Sequence, residues 1–137
     1  MVTYNARFVM VIIHLVVMEK QMSRASRQKG QRGEREICNL LAERLGGEFK
    51  RNLMQTAEGG YDVLGLDDYA IEVKFQERLC LEKWWKQTVE QANGKKPVLI
   101  FRKRREERRV AIPYDAMTPC DRYYSVIPLD AFCNQLK

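Results

Sequence analysis

Three residues of this chain have the types and spacing to hold a cation and act on water: Asp62, Glu72 and Lys74. Each lies in a stretch that reads as a strand. Gly60-Tyr61-Asp62-Val63-Leu64-Gly65-Leu66 and Tyr69-Ala70-Ile71-Glu72-Val73-Lys74-Phe75 both alternate apolar residues with others, and Asp67-Asp68 marks a hairpin turn between them. Side chains two apart on a strand share a face, so Glu72 and Lys74 point one way while Ile71, Val73 and Phe75 point into a core. A carboxylate and an ammonium on an apolar strand are costly to bury unless they pair or hold a metal.

Parity adds a structural condition. A strict two-residue loop at Asp67-Asp68 would set Asp62 opposite Val73, on the wrong face for joint chemistry with Glu72. Convergence of Asp62, Glu72 and Lys74 requires a connection one residue longer, or a bulge. That register is expected here.

Other elements must position these groups. The spacing predicts a helix over 31–45, closed by Gly46-Gly47, with Ile37, Cys38, Leu41, Ala42 and Leu45 on one apolar face. Glu34 continues that face one turn earlier, at the head of the stripe and over the sheet edge, whereas Glu36 points roughly to the opposite side. A first-turn glutamate favoured by the helix dipole accounts for Glu34 equally well. A strand over 48–52 and a glycine-rich loop lead to Asp62. Beyond the Glu-x-Lys strand, 81–93 reads as a helix ended by Gly94, with Gln87 and Gln91 one turn apart on one side and Trp84 and Trp85 as a candidate dimer surface. A buried strand over 97–101, a charged turn over 102–109 and a return strand over 110–112 follow. A short strand over 123–127 and a helix over 129–136 close the chain.

Length and composition set the frame. The 137 residues suffice for one core and are few for two. The net charge of +6 is unevenly placed, with Lys20, Arg24, Arg27, Lys29, Arg32 and Arg35 against Glu34 alone, and a second basic cluster over 102–109. Two such clusters point to an anionic polymer as partner, against the plainer alternative of solvated charge on a turn and a tail. Cys38, Cys80, Cys120 and Cys133 are far apart and His14 is the lone histidine, a spacing that argues against zinc and for buried thiols in a reducing cytoplasm. Residues 8–18 (FVMVIIHLVVM) are apolar but well short of the ~20 needed to span a bilayer, and no small-x-small cleavage site follows. Residues 1–22 are therefore set apart as an apolar extension, either upstream of a start at Met22 or packed on the domain as an extra element. A mobile basic arm over 23–33 then leads into a single domain over 23–137.

The spacing Asp62…Glu72-Val73-Lys74 resembles the signature of the PD-(D/E)xK nuclease superfamily. Lys29-Gly30-Gln31-Arg32-Gly33-Glu34-Arg35-Glu36 is similar to the helix start of archaeal-type and phage Holliday junction resolvases within it. The resemblance covers roughly residues 29–112 and departs from the pattern at Tyr61, where the family has proline. It implies an α/β fold, a restriction-endonuclease-like three-layer sandwich around a mixed β-sheet with core order αβββαββ. It further implies a Mg2+- or Mn2+-dependent endodeoxyribonuclease. Glu34, Asp62, Glu72, Lys74 and Gln87 (or Gln91) would be catalytic, and Glu34, Asp62, Glu72 and the Val73 carbonyl metal-binding. Arg24, Arg27, Lys29, Arg32, Arg35, Arg51, Arg102, Lys103, Arg104 and Arg105 would bind DNA, and Thr56 lies near the family's hydroxyl position. The implied partner is a DNA four-way junction cut by a homodimer, with a nicking, repair or restriction-type endonuclease as the alternative. A DNA-binding module that has lost catalysis is the reading from another class; three acids held against phosphate argue against it.

Overall fold

The structure, a computed structural model, describes residues 5–54, 60–114 and 122–137. Thr56, Cys120 and the segment over 115–121 lie outside the described residues. The elements run in the order α1 (Ala6–Leu45), β1 (Lys50–Arg51), β2 (Val63–Leu64), β3 (Tyr69–Gln76), α2 (Leu81–Gln91), β4 (Lys96–Lys103), β5 (Arg109–Pro113), β6 (Tyr124–Pro128) and α3 (Leu129–Gln135). The expected αβββαββ core is present, with the last strand and helix added.

The six strands form one sheet in sequential order β1-β2-β3-β4-β5-β6. All neighbours are antiparallel except β3 and β4, which run parallel and are joined by α2. A parallel pair needs a crossover of a dozen or so residues, which a helix supplies. Strand parity sorts the side chains into two layers. Ile71, Val73, Val98 and Ile100 meet Ile37, Cys38 and Leu41 of α1 and Leu129, Phe132 and Cys133 of α3. Leu99, Phe101 and Ala111 meet Trp84 and Trp85 of α2. Helices therefore cover both faces of a mixed sheet, giving the three-layer sandwich expected. Both tryptophans are buried in that inner layer, so they are not available as a dimer surface.

The first helix differs from expectation. Rather than starting near residue 31 after a mobile arm, it is continuous from Ala6, about 60 Å at 1.5 Å per residue. Nothing in residues 6–45 breaks it: the first proline of the chain is Pro97, and the glycines at 30 and 33 cost only about 1 kcal/mol each. Asn5 caps the start by accepting the Arg7 N–H at 3.0 Å, and Gly46 closes the end with its N–H on the Ala42 carbonyl. Residues 5–30 are exposed throughout; burial begins at Gln31 and Gly33. At Gly33 a Cβ would stand 2.9 Å from the Phe75 ring, so the missing side chain is what lets α1 close onto β3. The charged turn is also shorter than 102–109, because β4 continues to Lys103 and β5 begins at Arg109.

Candidate active site

The site forms where β2 stops short of its neighbour. Val63 pairs with Ile71, one residue out of the register that a strict two-residue loop would impose, which would have set Val63 opposite Glu72. The one-residue-longer connection that convergence required is thus present. Gly65 makes it: φ is 142° there, and a Cβ would fall 2.8 Å from the Glu48 carbonyl oxygen and 2.6 Å from the Phe49 ring.

Asp62 is fixed at the strand end by backbone and side chain together. Its N–H donates to the Ile71 carbonyl at 2.8 Å, its carbonyl accepts from Asn52 at 2.7 Å, and its Oδ2 accepts the Val73 N–H at 2.8 Å. The carboxylate takes over the ladder position that a longer β2 would have filled. That exchange places a buried acid beside the Glu-x-Lys segment.

Glu72 is also buried, with Oε1 3.4 Å from Lys74 Nζ. Its other oxygen, Oε2, is enclosed and has no hydrogen-bond partner among the described residues. Burial, and next the charge of Asp62, push the Glu72 carboxyl up to about 8, against the opposing pull of Lys74. Lys74 keeps a 23% exposed side chain on a cavity of about 760 Å3. Glu34, Asp62 and Val73 line the same cavity, with Met22, Ser26 and Lys29 of α1 as one wall and Gln76, Glu77 and Arg78 beyond Phe75.

Glu34 reaches this place from α1, as the stripe predicted, but it arrives already paired. Arg51 Nε donates to its Oε2 at 2.7 Å, with both side chains largely buried. Glu36, on the other side of α1, holds Arg102 and Arg108, and the Arg102 guanidinium also lies over the Phe75 ring at 4.5 Å. Arg51 and Arg102 are thus engaged within the protein. Arg24, Arg27, Lys29, Arg32 and Arg35 stand exposed along α1, and Lys103, Arg104 and Arg105 exposed at the β4–β5 turn, where Arg104 meets Glu77 at 3.2 Å. Gln87 is half-buried on α2 and does not line the cavity. Gln91, whose Oε1 is enclosed without a partner among the described residues, lines a different one with Asn52 and Tyr61.

Three neighbours take a place at the site that the sequence reading did not assign them. Cys38, one turn after Glu34, has its thiol pushed up by burial and then by the Glu34 charge. It is buried like Cys133, whereas Cys80 is exposed. Gly33 sits on the stripe Gly33–Ile37–Leu41; a glycine at a core-facing helical position signals close approach and could have been read so. The cavity wall from Met22 to Lys29 had no such signal, because it depends on the helix continuing past its buried part.

Among the described residues no three Asp, Glu, His or Cys side chains stand together closely enough to enclose a cation by themselves. The donor chemistry nonetheless fits a hard divalent ion. Mg2+ commonly takes one or two carboxylates and keeps its remaining waters, and here two buried carboxylates repel each other with one oxygen left unsatisfied. A cation held by these carboxylates would satisfy that oxygen and offset the repulsion.

Comparison with known proteins agrees with this arrangement. Residues 25–126, well over half of the chain, match the family described as "Phage putative PDDEXK endonuclease". Protein D14 of Escherichia phage T5 is 33% identical over 113 aligned positions, which cover 64% of this chain and 70% of that protein. The order Glu34, Asp62, Glu72-Val73-Lys74 lies wholly within the matched residues, on the fold such a nuclease requires. The chain belongs to this phage PDDEXK endonuclease family.

Proposed function

We propose that this nuclease is a divalent-metal-dependent DNA endonuclease of branched DNA, with the four-way junction as its first candidate substrate. It would act as a homodimer in the cytoplasm of a bacterial host. The observation that carries the metal-dependent reading is the buried Asp62–Glu72 pair, with one uncompensated oxygen and Lys74 3.4 Å away. Asp62, Glu72 and the Val73 carbonyl would hold Mg2+ or Mn2+. When bound, the metal supplies Lewis-acid stabilisation of charge on the phosphate and activation of water.

The chain's own groups do the rest. The Val73 N–H keeps the Asp62 carboxylate aimed. Lys74 orients the attacking water and offsets charge on the phosphate oxygens as the phosphorus–oxygen bond to the leaving strand breaks. Glu34, steadied by Arg51, meets the cluster directly or through water. The exposed arginines and lysines of α1, together with Lys103, Arg104 and Arg105, engage phosphates outside the cavity and give salt-sensitive affinity without reading bases. The branched-DNA reading rests on the resolvase-like helix start and on this basic helix leading away from the cavity.

The test is a cleavage assay on a labelled four-way junction beside linear duplex, with Mg2+ or Mn2+, with EDTA, and with Asp62→Ala. Paired symmetrical nicks in the junction alone, lost with EDTA and in the variant, are expected. Metal-dependent cutting of every duplex would move the activity to a general or repair nuclease. Tight binding without cutting under any metal would leave a DNA-binding module.

A further inference from the structure

A second cavity, of about 1140 Å3, opens between the first turns of α2 and the ends of β5 and β6. It carries none of the acids described above, and its lining is of a different kind. Among the described residues, Lys83, Lys86 and Arg122 line it with Glu82 and three tyrosines, Tyr114, Tyr123 and Tyr124. Tyr124 is anchored: its ring lies 5.5 Å from that of Trp85, tilted by 45°, which gives the cavity a fixed aromatic wall. Tyr114 and Tyr123 are 77% and 67% exposed, an unusual outlay of aromatic surface beside three cations.

From this arrangement we infer that the second cavity binds an unpaired stretch of DNA strand, stacking bases on Tyr114, Tyr123 and Tyr124 and holding phosphates on Lys83, Lys86 and Arg122. Duplex bases are already stacked on each other and offer these rings little; unpaired bases present a free π-face. The cavity exceeds the roughly 300–1,000 Å3 typical of small-molecule sites. It also lies close to the first. Arg78 lines the acidic cavity and Glu82 the aromatic one, so four residues, at most about 14 Å of chain, separate their walls. This inference rests on the nuclease reading and refines its substrate to a branched duplex with a single-stranded segment, which a four-way junction offers only where its branch point opens.

The test is binding of a fluorescent 20-nucleotide single strand and of the matching duplex in EDTA, for the wild type, Tyr114→Ala/Tyr123→Ala, the corresponding double Phe variant, and Lys83→Ala/Lys86→Ala. The double Ala variant is expected to lose roughly tenfold or more on the single strand, as stacking of about 1–3 kcal/mol per base implies, and less than about twofold on duplex. The Phe variant should retain binding, and the lysine variant should lower the salt slope for the single strand by about 1.4. Equal losses on both DNAs, no loss with Ala, or tighter binding of the same sequence as RNA would each overturn the inference. Cutting is scored separately with Mn2+, so failure to cut with the single-strand preference intact counts against the nuclease mechanism and not against this surface.

Discussion

Glu72 is the residue on which the energetics of the site turn. Its carboxyl titrates near 8 in the fold against an ordinary value of 4.5, so between those pH values the folded chain holds a proton that the unfolded chain has released. The sign follows: the Glu72 contribution to stability is most favourable below pH 4.5, falls as pH rises from 4.5 to 8, and stays low above. Glu72→Gln removes that titration. In EDTA the variant should melt higher than the wild type at pH 8.5, by on the order of 2 kcal/mol, with the advantage shrinking by pH 5. Mn2+ should then stabilise the wild type and not the variant. An advantage independent of pH would show that burial and the Asp62 charge do not act on Glu72 as described. Asp62, by contrast, is tied to the Val73 N–H, and its loss in Asp62→Ala is expected to remove cutting rather than fold.

The β2–β3 connection is the element that makes three separated residues one site. Its register depends on Gly65, where φ is 142° and a side chain would meet backbone 2.8 Å away. Gly65→Ala should cost about 3 kcal/mol through strain and the clash with the Glu48 carbonyl, read as a lowered urea midpoint, with cutting lost at temperatures where the variant is still folded. A variant as stable as the wild type would place the parity change elsewhere in the loop. The parity condition was legible from Asp62, Glu72 and the two turn aspartates, because a one-residue slip sends every side chain to the other face. The local path through Gly65 was not, since it is set by where Glu48 and Phe49 lie across the sheet.

The whole molecule is a folded sandwich with a long helix running out of it. Residues 5–30 are exposed, and Phe8, Met10, Val11, Ile13 and Leu15 are each more than half so. No helix among the described residues is long and apolar enough to cross a membrane. An apolar run of this kind on the surface favours self-association, while the core begins only at Gly33. A chain started at Met22 retains every buried contact of α1 and the α1 wall of the acidic cavity. It should therefore melt within about 1 kcal/mol of the full chain, cut with the same metal dependence, and lose the association beyond the dimer expected of the full chain in sedimentation. A marked loss of melting temperature would make residues 1–21 part of the folding unit.

The layers of the sandwich and the candidate acids could be read from local pattern. Alternation in Tyr69–Gln76 and the stripe Ile37–Cys38–Leu41 follow from local periodicity, which the chain carries wherever it is read, and the order Glu34, Asp62, Glu72-Val73-Lys74 was legible through its resemblance to the nuclease superfamily. What long-range contact sets came from the fold. It brought Arg51 to Glu34 and Arg102 to Glu36, closed Gly33 onto Phe75, buried Trp84 and Trp85, left Gln87 outside the acidic cavity, and joined Tyr114 and Tyr123 to the lysines of α2. Partners for buried charges and rings come from strands and helices far apart in the chain. Their choice is a property of packing, which no local pattern encodes.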